Sequence, residues 1–211
     1  MTATDALTAD SALGERIQHI AREQGFAPAL RRLGAACAGQ VLPPGAGGHI
    51  MASEEAYGNR QEKALSHRWP LPGGAVVVSG ASRPAADGRR IDQRLLLHLR
   101  LGLSEGLRDD CVAHLANRPS GDGTVLLHQM VKGQLAEALG RQLELGTVLA
   151  SADGAELSDR HARHLHGEVT ATSRALLRLL GARGYLMDGP GAAAHVSELL
   201  ADLHLPAEES E

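Results

Sequence analysis

Four side chains that could bind a metal lie within one short stretch of the chain: His161, His164, His166 and Glu168. His164 and Glu168 would be one turn apart on a helix, a spacing that zinc sites use. However, Arg160 and Arg163 stand among these residues and no cysteine joins them. We therefore interpret the stretch as a solvated helix face and predict no metal.

Three further motifs keep a regular spacing over residues 91–203. In the first, Gly102 is followed after sixteen positions by Arg118. In the second, a His-Gln pair at 128–129 precedes Gln-Leu-Ala-Glu at 134–137. The third is the run 181–190, which reads Gly-Ala-Arg-Gly-Tyr-Leu-Met-Asp-Gly-Pro. The spacing extends across three predicted helices, so it is a stronger signal than any one motif.

These motifs resemble the C-terminal helical domain of the acyl-CoA dehydrogenases. In that family one helix ends in Arg-x-x-Phe-Gly, and the next begins with Phe-Gln and continues into a Lys-Leu-Ala-Asp-like stretch. The third helix of the family ends in Gly-Gly-x-Gly-Tyr, followed by Asp-x-Pro. Gly121 and Asp122 replace the Phe and Gly of the first motif. The resemblance indicates a truncated, divergent member that keeps only the helical bundle.

The resemblance implies a contact with flavin. Arg118 and Gln129 occupy positions that reach the adenosine-diphosphate half of an FAD bound mainly by the neighbouring subunit. Arg178 stands where the family often has a glutamine near the same phosphate, and Gly181 would permit close approach. The FAD would then be shared with a partner subunit, or no cofactor is bound. The alternatives are a helix-terminal cation for Arg118, a solvated Arg178 and a helix-stopping Gly181.

The resemblance also implies a missing catalytic base. The glutamate that usually removes the α-proton lies in a Tyr-Glu-Gly-Thr segment, which this sequence lacks. Some family members place the base near the start of the first bundle helix, where this chain has Asp92. A buried carboxylate with a raised pKa could accept a proton there. The alternative is that Asp92 caps its helix.

Helical periodicity predicts the elements that must position these residues. Apolar spacing indicates three long helices over 91–116, 125–150 and 157–180, with a fourth over 192–203. The turn-rich connections predict that consecutive helices run antiparallel. We expect a mostly all-α fold: an antiparallel four-helix bundle at 89–205, a helical and loop segment at 1–88, and a disordered tail at 206–211.

The segment 1–88 is predicted in less detail. Apolar spacing over 11–39 fits two short helices or one kinked helix, and 53–65 has the composition of a further short helix. The run Ala-Val-Val-Val-Ser at 75–79 is rich in β-branched residues. We therefore expect at most one short β-hairpin.

Composition narrows the possible partners and compartment. The formal net charge is −4 and the charges are interspersed, so nucleic acid is not expected as a partner. No apolar run approaches the ~20 residues that span a bilayer, so we expect no membrane insertion. Two cysteines suit free thiols in a reducing compartment, so we predict a cytoplasmic protein.

The predicted function is that of a truncated acyl-CoA dehydrogenase-like subunit. It would pair with a full-length partner in the flavin-dependent α,β-dehydrogenation of an acyl thioester, as part of a homo-oligomer or hetero-oligomer. One alternative is a flavin-independent cyclase or isomerase of specialised metabolism, which holds a small molecule in the bundle. Another is a self-associating scaffold without chemistry.

Overall fold

The computed structural model describes residues 11–37, 41–45, 47–58, 66–80, 90–151, 157–186 and 189–205. Within these residues the helices are α1 (Ser11–Gln24), α2 (Phe26–Ala36), α3 (Glu54–Tyr57), α4 (Gln93–Ala116), α5 (Gln129–Ser151), α6 (Asp159–Leu180) and α7 (Pro190–His204). The strands are β1 (His49–Ser53), β2 (Ser66–Leu71), β3 (Gly74–Gly80), β4 (Pro119–Ser120) and β5 (Gly123–Thr124). The predicted mostly helical fold is confirmed.

Helices α4 to α7 form the predicted antiparallel bundle. The Arg94 guanidinium near the start of α4 donates to the Leu149 carbonyl near the end of α5, 2.9 Å away, so these two helices run in opposite directions. The thiol of Cys111 near the end of α4 lies 3.3 Å from the Leu176 carbonyl near the end of α6, so α4 and α6 are parallel. Gln93 reaches the His204 carbonyl, which makes α7 antiparallel to α4.

Helix α4 is the central element of the fold. Every residue from Gln93 to Gly102 is buried, because α1, α6 and α7 surround this half of the helix. Its hydrophobic surface is therefore not confined to one stripe, as expected for a helix covered on all sides. Leu97 and Leu101 pack with Leu145, Leu149 and Leu165 of α5 and α6.

Helix α1 packs against α4 at unusually close range. A Cβ atom added at Gly102 would collide with the Gln18 carbonyl oxygen, and one added at Gly106 would lie 2.9 Å from the Arg22 carbonyl oxygen. Glycine at both positions lets the two backbones approach. At the end of α1, the Arg22 Nε donates to Asp109 at 2.7 Å. The N-terminal segment is thereby joined to the bundle.

The sheet is larger than the single hairpin expected. Strand β3 lies between β1 and β2, and both pairings are antiparallel. The predicted run 75–79 is the central strand, whereas β1 and β2 are edge strands that sequence periodicity did not indicate. A second, two-residue ribbon pairs β4 with β5. The expectation of at most one hairpin was therefore wrong.

Of the helix predicted over 53–65, the described residues contain the single turn α3 at Glu54–Tyr57. Strand β1 ends at Ser53, whose hydroxyl accepts from the Ala56 N–H at 3.4 Å and so caps the single turn of α3. Residues 59–65 lie outside the described residues, as do the proposed boundary near 88–89 and the tail 206–211. The division into segments 1–88 and 89–205 stays a prediction.

One hydrophobic cluster connects the N-terminal segment with the bundle. Ile17 and Phe26 of α1 and α2 pack with Val76 of β3, Leu96 of α4 and Leu200 of α7. Cys37 and Cys111 are buried and free, as expected. No helix among the described residues is long and apolar enough to cross a membrane.

Candidate functional site

The residues predicted to contact flavin lie at one end of the bundle. Leu115 at the end of α4, Leu135 near the start of α5 and Leu180 at the end of α6 belong to one hydrophobic cluster. Arg118 follows the end of α4, Gln129 begins α5, and Arg178 and Gly181 lie at the end of α6. We call this region the Arg118 end. The fold therefore brings all four to the same end of the molecule.

The backbone of Arg118 is hydrogen-bonded, whereas its side chain is exposed. The Arg118 carbonyl accepts from the Val125 N–H at 2.9 Å, next to the β4–β5 ribbon. Gly121 in the turn of that ribbon has φ of 57°, which glycine adopts readily. This turn occupies the position of the Phe-Gly pair of the family motif. Gly121 and Asp122 therefore lie in the turn of the ribbon, which holds the backbone beside Arg118.

Asp92 makes the contact of a helix cap. Its carboxylate accepts from the Arg94 N–H at 2.8 Å, at the start of α4, and its side chain is half-buried. An N-cap carboxylate satisfies one of the unpaired N–H groups of the first turn. The geometry therefore gives Asp92 a structural role, and its action as a base stays a prediction.

Gly181 and Gly184 of the third motif have different structural roles. Gly181 has φ of 58° and its N–H donates to the Arg178 carbonyl, so it ends α6 in a conformation that L side chains rarely adopt. Gly184 is buried, and a Cβ atom added there would lie 2.8 Å from the Leu177 carbonyl oxygen. A Cβ atom on Gly191 would collide with the Gly184 carbonyl oxygen. Gly184 and Gly191 therefore bring the chain after α6 against the start of α7.

A cavity of about 550 Å³ lies beside this close contact. Its wall is formed by β2, α6, the 3₁₀ segment Gly181–Tyr185 and α7. We call it the Trp69 pocket; its lining residues are Trp69, Arg174, Leu177, Arg178, Gly184, Tyr185, Leu186, Gly191, Ala192, His195 and Glu198. Most of the predicted site residues are absent from this lining, which includes only Arg178.

The two arginines of the Trp69 pocket differ in their ion pairing. Arg174 donates to both carboxylate oxygens of Glu198, at 2.9 and 2.8 Å, and this hydrogen bond raises the pKa of Arg174. Arg178, one turn further along α6, forms no ion pair with any residue that the structure describes. Trp69 and His195 face each other with ring centroids 5.3 Å apart. Among the described residues, the pocket thus combines an apolar wall with one cation that forms no ion pair.

A buried polar network occupies the interior of the bundle. Arg100, only 1% exposed, donates to Ser197 Oγ at 3.1 Å, to Thr170 Oγ1 at 2.7 Å and to His166 Nδ1 at 2.8 Å. Since the guanidinium can only donate, His166 Nδ1 accepts and its Nε2–H donates to Gln93 Oε1 at 3.1 Å. We call this set the Arg100 network.

Burial shapes the protonation of the Arg100 network. Burial lowers the pKa of Arg100 to about 10, so the guanidinium stays charged at neutral pH without a hydrogen-bonded carboxylate. Burial and the Arg100 charge lower the pKa of His166 to about 3. Burial also lowers the pKa of His204 to about 4, and His204 Nε2 has no partner among the described residues.

The histidines of residues 161–168 were interpreted as part of a solvated helix face, and this was wrong for His166, which is buried. His166 turns into the Arg100 network, while His161 and His164 are exposed on α6. Glu168 lies 3.7 Å from Arg141 of α5. The described residues contain no group of three or more potential ligands that could hold a metal ion.

A second, smaller cavity of about 360 Å³ lies on the other side of α7. It is lined by the α1–α2 junction around Gly25 and by Asp110, Ser173 and Ser197 of α4, α6 and α7. Burial raises the pKa of the Asp110 carboxyl, which the charge of Arg183 opposes. The cavity offers hydroxyl groups but no described set of residues suited to a reaction.

Sequence reasoning missed both the Arg100 network and the Trp69 pocket. The sequence did contain a signal for the Arg100 network, because Arg100 lies within the leucine-rich stretch from Leu95 to Leu103. On a helix that is apolar on all sides, a cation must either be buried or extend its charged end to solvent. The pocket had no such signal, since its wall joins a strand and helices that are distant in sequence.

No family model matches the chain, and no curated protein matches it. Solved structures do. A variant of the Tcur3481–Tcur3483 steroid ACAD has a TM-score of 0.45 and 15% identity, and the match covers 65% of this chain and 43% of that chain. An acyl-CoA dehydrogenase from Slackia heliotrinireducens has a TM-score of 0.43 and 14% identity, with 66% and 45% covered. The ChsE4–ChsE5 complex from Mycobacterium tuberculosis has a TM-score of 0.46 and 17% identity, with 73% and 51% covered.

The chain thus spans about half the length of the solved structures it matches. These partial matches are to acyl-CoA dehydrogenases, the family whose helical domain the sequence motifs resemble.

Proposed function

We propose that this chain is an accessory subunit that pairs with a full-length acyl-CoA dehydrogenase and lends its Arg118 end to the partner's FAD. The observation that carries the proposal is that Arg118, Gln129 and Arg178 lie at the same end of the bundle. Both arginines are exposed, and neither forms an ion pair with a described residue. Exposed guanidinium groups suit a pyrophosphate from a neighbouring molecule.

An exposed stripe on α5 supports pairing with another helical protein. The stripe consists of Ala136, Leu139, Gly140, Leu143 and Thr147, which follow the spacing of one helix face. Leu139 is 40% and Leu143 62% exposed, and a Cβ atom on Gly140 would meet nothing within 4 Å. The stripe carries no charge. Such a face is suited to burial against a partner helix.

The roles that we propose for this chain and its partner follow from the chemical groups that the described residues provide. The flavin would supply hydride acceptance from the β-carbon of an acyl thioester, and the partner's carboxylate would remove the α-proton. In this chain, Arg118 and Arg178 would bind the pyrophosphate, and Gln129 would offer an amide to the same group. The ribbon β4–β5 would hold Arg118 in position, since its backbone bond to Val125 fixes the turn.

The pairing is tested by co-expression with a full-length acyl-CoA dehydrogenase encoded beside this chain, followed by affinity purification of the tagged chain. We expect the Leu143→Glu variant to lose the partner, because it places a charge in the middle of the apolar stripe. Ala171→Glu, which adds the same charge at an exposed position of α6 outside the stripe, is the matched control. Equal recovery of the partner with both variants would show that the stripe is not the interface.

A second candidate is the flavin-independent function, in which the chain alone acts on a small molecule. The Trp69 pocket favours it, because the wall of this cavity is built by a single copy of the chain. A purified, colourless protein that stays monomeric beside the dehydrogenase would favour this candidate over the accessory subunit.

A further inference from the structure

We propose that the Trp69 pocket is a binding site for a small molecule that has an apolar, flat body and one anionic group. The proposal does not depend on the accessory-subunit function, because the pocket needs neither a flavin nor a partner. Four properties of the pocket support it: its size, its fixed floor, its aromatic wall and its charge.

The size and lining suit a small organic ligand. Ligand-binding cavities commonly have volumes of about 300–1,000 Å³ with mostly apolar walls and a few polar groups, and this one has about 550 Å³. Leu177 and Ala192 form its buried part. Tyr185 and Leu186 stand at its edge and are 69% and 54% exposed. Two large apolar side chains exposed beside a cavity indicate a surface that a ligand can cover.

The floor of the pocket is rigid. A Cβ atom on Gly191 would collide with the Gly184 carbonyl oxygen, and one on Gly184 would lie 2.8 Å from the Leu177 carbonyl oxygen of α6. Packed backbone of this kind holds the 3₁₀ segment Gly181–Tyr185 against the start of α7. A preformed cavity lowers the conformational entropy lost on binding, so less of the interaction energy is consumed by ordering the site.

The aromatic wall suits a flat body. Trp69 projects from β2 beside His195 of α7, with ring centroids 5.3 Å apart and planes inclined at 60°. His67 also packs edge-on against Trp69, with ring centroids 4.7 Å apart. Offset or edge-to-face contacts with such rings favour aromatic or alicyclic ligands. Trp69 is half-buried, so part of its surface remains available.

The charge of the pocket selects an anion. Glu198 engages both donor atoms that Arg174 directs toward it, at 2.9 and 2.8 Å, and the two charges compensate each other. Arg178 then contributes one positive charge that no described residue offsets. A carboxylate or phosphate can accept two parallel hydrogen bonds from such a guanidinium. A ligand with one anionic group would therefore complete the pocket electrostatically.

The single tryptophan of the chain reports binding directly. The test titrates the purified chain with phenylbutyrate and, separately, with phenylbutanol, which has the same body without the charge, and follows the emission of Trp69. We expect a saturable change with phenylbutyrate and binding about tenfold weaker with the alcohol, because a charged hydrogen bond adds about 1.5 kcal/mol or more.

A matched pair of α6 variants locates the anion contact. Arg178→Gln removes the charge of the pocket, whereas Arg160→Gln removes an exposed charge on the same helix outside the lining. We expect the first to weaken phenylbutyrate binding about tenfold without affecting phenylbutanol, and the second to leave both unchanged. No saturable change of emission, or equal affinity of the two probes, would overturn the proposal.

A third variant separates this site from the flavin role. Arg118 lies outside the pocket lining, so Arg118→Ala should leave phenylbutyrate binding unchanged. Loss of probe binding in Arg118→Ala would contradict the pocket assignment. A failure of the flavin proposal, by contrast, would not alter any of these titrations.

Discussion

At the scale of single residues, the interior of this protein holds a cation whose hydrogen-bond acceptors are neutral. Arg100 donates to two hydroxyl groups, an imidazole and a backbone carbonyl, and none of its acceptors among the described residues is a carboxylate. His166 can serve as acceptor only while its ring is neutral, because a protonated imidazole has no lone pair to offer. The native structure therefore depends on the neutral forms of buried histidines.

This dependence predicts a stability that falls on acidification. Burial lowers the pKa values of His98 and His204 to about 4 and of His166 to about 3, below the ordinary value of 6.5. Below pH of about 6.5 the unfolded chain binds more protons than the native protein, so protonation favours unfolding. Between the unfolded and the native pKa values, each of the three histidines lowers the free energy of unfolding by up to about 1.4 kcal/mol for every pH unit of acidification. Urea unfolding at a series of pH values from about 7 to about 5 measures this slope.

Variants of two histidines test the origin of the slope. His204→Leu removes one buried titrating ring, so we expect the dependence on pH to fall by about a third. His164→Gln removes an exposed ring from α6 and should leave the dependence unchanged. A flat stability profile in the native protein would show that the buried rings are not held neutral.

Predictability from sequence also differs from residue to residue. The capping of Asp92 was foreseen as an alternative because an N-cap is a local contact that needs only the residues beside it. The partners of Arg100 lie on α6 and α7, far along the chain, so only its burial could be inferred from its leucine neighbours. Contacts between distant elements require the tertiary structure.

At the scale of elements, the long helices were predicted because their periodicity persists over many turns. Strand β3 was indicated by its β-branched residues, but its two neighbours were not. Strand β2 contains Pro70 and three exposed residues at its start, a composition that an edge strand tolerates and that periodicity alone does not identify. Strand β1 has only five residues. Short edge strands are stabilised by hydrogen bonds to the strand beside them, so their own sequence does not predict them.

The close packing of α1 on α4 predicts a contrast between two glycines. In Gly102→Ala the new methyl group would collide with the Gln18 carbonyl oxygen and approach Ala21, so α1 must move. We expect a loss of about 2 kcal/mol in the free energy of unfolding. In Gly167→Ala, on α6, the methyl group would meet nothing within 4 Å. Here we expect a gain of up to ~1 kcal/mol, because alanine favours helix.

Urea unfolding of both variants checks this contrast. If Gly102→Ala were as stable as Gly167→Ala, the two helices would not be in backbone contact. The role of Gly102 would then rest on the sequence motif alone, and the attachment of the N-terminal segment would have to depend on other contacts, such as that of Arg22 with Asp109.

At the scale of the whole molecule, the Arg118 end, the stripe on α5 and the Trp69 pocket are the features available to other molecules among the described residues. The Arg118 end presents exposed guanidinium groups, and α5 presents an uncharged stripe along its length. The Trp69 pocket lies near the Arg118 end, because Arg178 belongs to both. An accessory subunit needs the first two features together: a face that binds the partner and an end that reaches the partner's cofactor.

The central claim is tested most directly by the flavin content of the complex. We would co-express the chain with any full-length acyl-CoA dehydrogenase that is encoded beside it, purify the complex through the tagged chain, and record its absorbance across the flavin bands. We expect flavin bands in the complex, none in the chain alone, and a lower flavin content with Arg118→Ala at unchanged partner recovery. An Arg118→Ala complex with full flavin content would contradict the proposed contact, and the absence of any flavin-containing complex would contradict the accessory-subunit function.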